Sequence, residues 1–407
     1  MSSIKIEVRN LTKIFGDNVK DALELVKEEK EKAEIMAKTK ATVAVNHVDF
    51  CINEGEIFVV MGLSGSGKST LIRLLNRLIE PTAGSIILDG QDIAALSAKE
   101  LLDVRRHKMS MVFQNFALFP QNTVLENTAF GLEVRGVKWE DRKAAAEKAL
   151  EQAGLLAYKD QYPRQLSGGM QQRVGLARAL ANSPEVLLMD EAFSALDPLI
   201  RRDMQDELME LQENMKKTII FITHDLNEAL KIGDRIAIMK DGAIIQIGSG
   251  EEILTNPANE YVRRFVEGVD RTRILSVEHI MSRPHVIINI DKAGIHTAMN
   301  QMVHNDSSYL LLTNNRHEFL GYITDKDTAL SIKHKGTRAS YQDVIKKNIH
   351  TVSFDTPIPK IYKYLLAKDL PVVVLEGKKI RGIITRRNII ELLSAKDVSK
   401  VSEVNAG

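Results

Sequence analysis

From Ile4 the chain reads IKIEVRNLTKIFG, an alternation of apolar and polar positions that predicts a strand. Between Asp17 and Ala41 the composition turns to Lys, Glu and Ala with helical spacing, which reads as an inserted helix carrying solvated Glu/Lys pairs. Strand alternation resumes at Thr42 to Ile52, an apolar strand follows at Ile57 to Met61, and an amphipathic helix pattern runs from Ser69 to Ile79. Further short β-rich runs at Ser85–Leu88, Met109–Phe113, Val186–Met189, Thr218–Ile222 and Arg235–Lys240 are interleaved with helical stretches. This succession predicts an α/β fold with a mixed sheet core.

Past Val266 the pattern changes, and two similar units follow. Each reads as short helix, strand, longer helix, two strands and closing helix; one ends in GYITDKD and the other in GIITRRN. This is a duplication, too long in period and too few in copies for a solenoid. The predicted organisation is a domain over 1–265, a linker over 266–275, α+β units over 276–333 and 340–395 joined by the polar stretch KHKGTRAS, and a flexible tail over 396–407.

A length of 407 residues fits two or three domains, and the apolar and charged fractions are those of a soluble globular chain. A net charge of +1 argues against a protein that coats nucleic acid. Cys51 is the sole cysteine, which excludes an intrachain disulfide and a cysteine-based zinc site and fits a reducing compartment. No apolar stretch is long enough to span a bilayer and the N-terminus has no signal-peptide core, so any membrane role must come through a partner.

The candidate chemistry begins at VVMGLSGSGKST. Gly62, Leu63, Ser64, Gly65, Ser66, Gly67, Lys68, Ser69 and Thr70 fit a phosphate loop, with the strand before and the helix after that such a loop requires. Backbone N–H groups and the helix N-terminus would bind phosphate, Lys68 would reach the β and γ oxygens, and Ser69 would ligate Mg²⁺. The bland alternative is a glycine-rich turn with a solvated lysine. Downstream, VLLMDE places Asp190 and Glu191 at a strand end, where Asp190 would assist Mg²⁺ and Glu191 would polarise the attacking water. Alone, that run would be an ordinary strand end; beside a phosphate loop it gains meaning.

LSGGMQQR, with Ser167, Gly168 and Gly169 immediately before an apparent helix, is a second anion site, and with it the chain resembles the ATP-binding-cassette (ABC) ATPases. The resemblance covers roughly residues 4 to 262. It implies that two copies of the chain pack head to tail, the signature of one capping the γ-phosphate held by the other. It also implies roles for Gln114 in VFQNFALFP, which joins the Mg²⁺ and water shell; for Asp197 in SALD; for His224 in ITHDLNEAL, which contacts γ-phosphate; and for Phe15 as the aromatic that stacks on adenine. Within that family the stretch MVFQNFALFPQNTVLENTAFGLEV and the inserted helix resemble the ATPases of glycine betaine and proline betaine uptake. The implied assembly is a homodimer, peripheral on the cytoplasmic face of the membrane, held by permease subunits with an extracytoplasmic solute-binding domain or protein. The alternatives are an importer ATPase for another small solute, and a soluble ABC ATPase that senses nucleotides.

The duplicated units resemble tandem cystathionine-β-synthase-type (CBS) domains, whose clefts often bind adenine nucleotides. Over 276–395 there are 17 Lys and Arg against 11 Asp and Glu, so an anionic partner fits. Thr324 and Asp327 occupy the positions that often meet ribose and phosphate; in the second unit Thr385 is kept but Asn388 replaces the acid. The resemblance nominates cyclic di-AMP, with Lys333, Lys335, Arg338 and Tyr341 as further contacts, and the charge equally suits an anionic membrane surface whose attraction salt would screen. A packing module without a ligand is the competing reading.

Overall fold

The computed structural model describes residues 3–267, 275–284, 287–367 and 370–394. The chain divides into two compact units, the first ending at Val266. Most of the expected linker, and the expected tail, lie outside the described residues.

In the first unit a six-stranded sheet runs in the order Ala243–Gly248, Arg235–Lys240, Ile57–Met61, Thr218–Thr223, Val186–Asp190, Met109–Val112. The strand Ile57–Met61 pairs in parallel with both neighbours and is buried at every position. Continuous apolar sequence is what a strand covered on both faces requires. The helix Lys68–Leu75 packs Leu71, Ile72, Leu74 and Leu75 into the same core as Phe58, Val60, Leu188 and Ile220. Chain ends of the central strands therefore converge where Gly62 begins. A second sheet pairs Ile4–Phe15 with Thr42–Asn53 and with Ala83–Leu88, all antiparallel. Three further helices, Val124–Val134, Trp139–Gln152 and Gly168–Ala181, form a separate bundle around Ala129, Ala146, Leu150, Val174 and Ala177. Thr123 and Glu126 close the first of these with reciprocal side-chain and backbone bonds, a capping box.

The insertion after Phe15 is a hairpin of two helices, Val19–Lys27 and Lys32–Thr39, rather than one. Two apolar half-stripes explain the break: Ala22 and Val26 on the first helix and Ile35 on the second can all be covered by Ile14, Ala41 and Val43 only if the chain reverses. The reversal passes through Glu29 in a left-handed conformation, φ 56°. The expected Glu/Lys pairs are present on its outer surface, Lys27 with Glu24 and Lys38 with Glu34, both at 2.7 Å. The hairpin is thus solvated outside and buried inside.

In the second unit each copy carries a three-stranded sheet with one parallel and one antiparallel pairing: Ile287–Asn289, Tyr309–Thr313, Phe319–Thr324, and Thr351–Ser353, Val372–Glu376, Lys379–Ile384. Leu311, Tyr322, Val373 and Ile383 bury the two copies against each other. The stretch expected as a linker begins inside structure, because Lys333 to Lys335 complete the helix Asp325–Lys335 and a 3₁₀ turn, Gly336–Arg338, follows.

Candidate nucleotide site

The phosphate loop leaves the C-terminal end of the strand Ile57–Met61 and winds into the helix Lys68–Leu75. Two of its glycines are obligatory. Gly62 has φ 155° and a Cβ there would lie 2.1 Å from the Met239 carbonyl oxygen; Gly67 has φ 103° and its Cβ would lie 2.4 Å from that of Ala44. Lys68 is buried, and its ammonium donates to the carbonyls of Gly62 (2.8 Å) and Leu63 (3.1 Å). Burial lowers its pKa, opposed by Glu191 and Asp190. A buried ammonium whose hydrogen bonds go to carbonyls of its own loop is well placed to take phosphate oxygens instead.

Asp190 ends the neighbouring strand, and the Ser69 hydroxyl donates to its Oδ1 at 3.3 Å. Burial raises the Asp190 pKa, a penalty that a bound cation would offset. Among the described residues no cluster of three or more His, Cys, Asp or Glu could hold a metal ion unaided. A hydroxyl and one carboxylate suit Mg²⁺, which takes one or two protein ligands plus substrate phosphates and water.

Glu191 stands in a left-handed conformation, φ 44°. That turn carries its carboxylate to the loop side, where Gln114 Nε2 lies 3.4 Å and His224 Nδ1 3.4 Å from Oε2. Gln114 also donates to Ser194 Oγ (3.2 Å), and Ser194 donates to the Glu191 carbonyl (2.9 Å). Gln114 and His224, far apart in sequence, therefore meet at one carboxylate. The turn bearing His224 is fixed from beneath: Asp225 N–H donates to Thr223 Oγ1 (3.0 Å), the Thr223 hydroxyl donates to buried Glu228, and Gln205 Nε2 donates to the other oxygen of Glu228 (3.0 Å). Burial raises the Glu228 pKa. Glu228 and Gln205 lie under the site and carried no sequence signal, since each is an ordinary polar residue of a helix.

A cleft of about 570 Å³ is lined by Ser64, Gly65, Gly67, Lys68, Ser69, Thr70 and Glu191, by Thr42, Val43 and Ala44, and by Lys32, Ala33 and Met36 of the inserted hairpin. Phe15 stands outside that lining, half exposed at the end of its strand, with the Lys13 ammonium 5.0 Å from its ring centre. Ser167 caps the helix Gly168–Ala181, its hydroxyl accepting from Met170 N–H (3.3 Å), and Gly169 leaves room for Ile200, which a Cβ would meet at 2.5 Å. Asp197 precedes the helix Pro198–Met215 and is exposed. Neither Ser167, Gly168, Gly169 nor Asp197 lines the cleft of its own chain.

In the second unit Thr324 and Thr385 occupy equivalent places. The Thr324 hydroxyl donates to Asp327, which is also paired with Lys346; the Thr385 hydroxyl donates to Asn388 Oδ1 at 2.7 Å. Hydrogen bonds from Lys346 and Thr324 hold the Asp327 pKa below the usual range. Thr385 lines a cleft of about 230 Å³ with Tyr309, Leu365, Leu370, Pro371, Arg386 and Arg387. Tyr341 is committed elsewhere: burial pushes its pKa up to about 12, and its hydroxyl donates to the carbonyls of Ala293 (2.9 Å) and Gly294 (3.0 Å). Lys335 pairs with Asp343, while Lys333 and Arg338 are exposed. The six nominated residues other than Thr385 are not gathered at that cleft.

With a phosphate loop, Asp190 bonded to its Ser69, Gln114 and His224 gathered at Glu191, and a duplicated α+β unit following, the fold and site define an ABC ATPase joined to CBS domains. The ABC transporter family model matches residues 45–194, and the CBS domain model matches 277–333 and 342–395. The chain belongs to the ABC transporter ATPases with C-terminal CBS domains, and within them it is homologous to the ATP-binding proteins of glycine betaine transport. It is 51% identical over 395 residues to the glycine betaine/carnitine transport ATP-binding protein GbuA of Listeria monocytogenes, covering 97% of this chain and 99% of that one. It is 51% identical to the glycine betaine transport ATP-binding protein OpuAA of Bacillus subtilis, covering 97% and 93%, and 46% identical to ProV of Escherichia coli, covering 98% and 99%. Among solved structures, the dimeric ATP-binding cassette MJ0796 in a post-hydrolysis state bound to ADP and Pi superposes with a TM-score of 0.51 at 34% identity, covering 60% of this chain and 98% of that one.

Proposed function

We propose that this chain is the ATP-hydrolysing subunit of an ABC importer that drives uptake of a quaternary-amine compatible solute such as glycine betaine. The observation that carries the reading is the meeting of Gln114 and His224 at the carboxylate of Glu191, beside Lys68, Ser69 and Asp190, in a chain similar over nearly its full length to betaine-transport ATPases.

ATP is the substrate. Its phosphates would lie on the N–H groups of Gly62 to Thr70, with Lys68 exchanging its two carbonyl partners for β and γ oxygens. Bound through Ser69, Asp190 and Gln114, Mg²⁺ would neutralise charge on the transferring phosphoryl group. Glu191 accepts the proton of the attacking water, its left-handed turn carrying the carboxylate to His224 and Gln114. His224 faces the γ-phosphate from the same cluster. Exposed Ser167, Gly168 and Asp197, with buried Gly169 beside them, serve the cleft of a second copy, a reading supported by the dimeric MJ0796 relative.

The partners in this reading are a second copy of the chain and permease subunits with an extracytoplasmic solute-binding domain or protein, which place the chain peripherally on the cytoplasmic face of the membrane. Among the described residues no helix is long and apolar enough to cross a bilayer. The CBS units carry regulation: Thr385, Arg386 and Arg387 around an open cleft suit an anionic nucleotide such as cyclic di-AMP, and the basic surface suits an anionic membrane. The domain limits follow the same reading, with the cassette over 1–265 and the CBS units over 276–333 and 340–395.

The test is ATPase activity with the membrane partner in anionic liposomes, scanned over ionic strength with and without cyclic di-AMP. The reading expects activity stimulated by the transported solute, rising with salt and suppressed by the dinucleotide. Solute-independent activity would remove the importer assignment; indifference to salt and dinucleotide would reduce the CBS pair to a packing module.

A further inference from the structure

The inserted hairpin does more than cover the end of a sheet. Lys32, Ala33 and Met36, all on its second helix, line the same cleft as Lys68 and Ser69. Met36 is half exposed, and the Thr42 hydroxyl donates to its sulfur at 3.7 Å, so the thioether is held over the cleft rather than packed in the hairpin core. That core is made by Ile35 and its neighbours, on the other face of the helix. The Lys32 ammonium rests against Gly242, where a Cβ would meet it at 2.8 Å, and Gly242 borders Gly67 of the phosphate loop. It makes no ion pair among the described residues, although Asp241 is near enough to favour its charge. Phe15, the aromatic side chain at the hairpin's entry, pairs with Thr42 of the lining and is half exposed, with the Lys13 ammonium over its ring.

We propose that the inserted hairpin is the base-side wall of the nucleotide cleft, with the Met36 thioether and Ala33 lying on the purine and Lys32 facing the sugar and α-phosphate. This rests on the ATP reading above and deepens it. The chemistry fits. A polarisable sulfur packs well on an aromatic ring, a small residue at position 33 leaves the ring room, and an ammonium at the rim meets the anionic end. A wall that belongs to a separate small cluster also ties nucleotide occupancy to the order of the hairpin.

The experiment measures equilibrium binding of ATP, ADP and inorganic pyrophosphate to the full chain, as wild type and as Met36→Ala, Met36→Leu and Phe15→Ala. Pyrophosphate carries the phosphates without a base. Wild type should bind all three; failure to bind ATP would overturn the nucleotide reading itself, and this inference with it. Met36→Ala is expected to weaken ATP and ADP about tenfold, with pyrophosphate unchanged. Met36→Leu, which keeps the apolar contact, should restore most of the loss, and ATP should slow amide hydrogen exchange across 19–39 in the wild type. Unchanged ATP affinity in Met36→Ala, or an equal loss for pyrophosphate, contradicts the proposal. So does a base-specific loss confined to Phe15→Ala.

Discussion

At the scale of the residue, Glu191 shows how position makes chemistry. An aspartate in the pleat of the strand, Asp190, points toward Ser69, and one residue later a left-handed backbone at φ 44° sends Glu191 to Gln114 and His224. Such a backbone is uncommon for a residue with a Cβ, and here it re-aims the side chain within one residue of the strand end. Glu191→Gln keeps the shape and removes the base. ATP binding should survive while turnover falls by about 10²–10⁴-fold, read by binding and single-turnover assays; hydrolysis at the wild-type rate would refute the assignment.

Glu228 gives a pH-dependent prediction. Its pKa is raised above the unfolded value by burial, the Thr223 and Gln205 bonds only partly offsetting this. A raised carboxylate favours the fold while protonated, and that advantage is lost as pH rises from the unfolded pKa through the folded one. Glu228→Gln has no charge to lose. The difference in melting temperature, variant minus wild type, should therefore grow from pH 4.5 toward neutrality, and a difference that is flat with pH would show that the ionised form is not penalised.

At the scale of the element, the phosphate loop and its flanking strand and helix were legible because three demands coincide in a dozen residues: apolar continuity, glycine where a carbonyl crowds the backbone, and a helix start. The repeated C-terminal unit was legible because its strand and helix order occurs twice. The hairpin was read only as a helix. Its Glu and Lys residues describe its outer face faithfully, but the chain reversal at Glu29 is dictated by Ile14, Ala41 and Val43, which belong to flanking strands. The neighbours of Glu228 and the Lys346 partner of Asp327 were illegible for the same reason: each contact is made by a residue whose local pattern is unexceptional. Conversely Phe15 satisfies a local expectation of an aromatic at the strand end, while tertiary packing brings Met36 to the cleft.

Because the hairpin core is small, it should open on its own. Ile35→Ala removes a side chain that is 1% exposed and should cost about 2–5 kcal/mol locally. Amide exchange should rise across 19–39 while the strands Ile57–Met61 and Thr218–Thr223 stay protected. Exchange rising equally in the central sheet would mean that the hairpin and the sheet unfold as one unit.

At the scale of the whole molecule, the chain offers an ATP cleft on one unit, a signature segment that its own cleft does not use, and a basic CBS pair on the other unit. An unused signature makes the single copy incomplete, so activity should rise with protein concentration in the isolated chain, as sedimentation paired with ATPase assays would show. Attraction between exposed basic groups and an anionic surface decays over about 8–10 Å at physiological ionic strength, so under the proposed regulation added salt should weaken binding of the chain to anionic vesicles.

The most direct test of the central claim is ATP-driven uptake of radiolabelled glycine betaine into proteoliposomes containing this chain and its permease, comparing wild type with Glu191→Gln. The account predicts solute accumulation that requires ATP and is abolished by the substitution although ATP still binds. Accumulation unchanged in the variant, or ATP hydrolysis by the wild type with no solute moved, would contradict it.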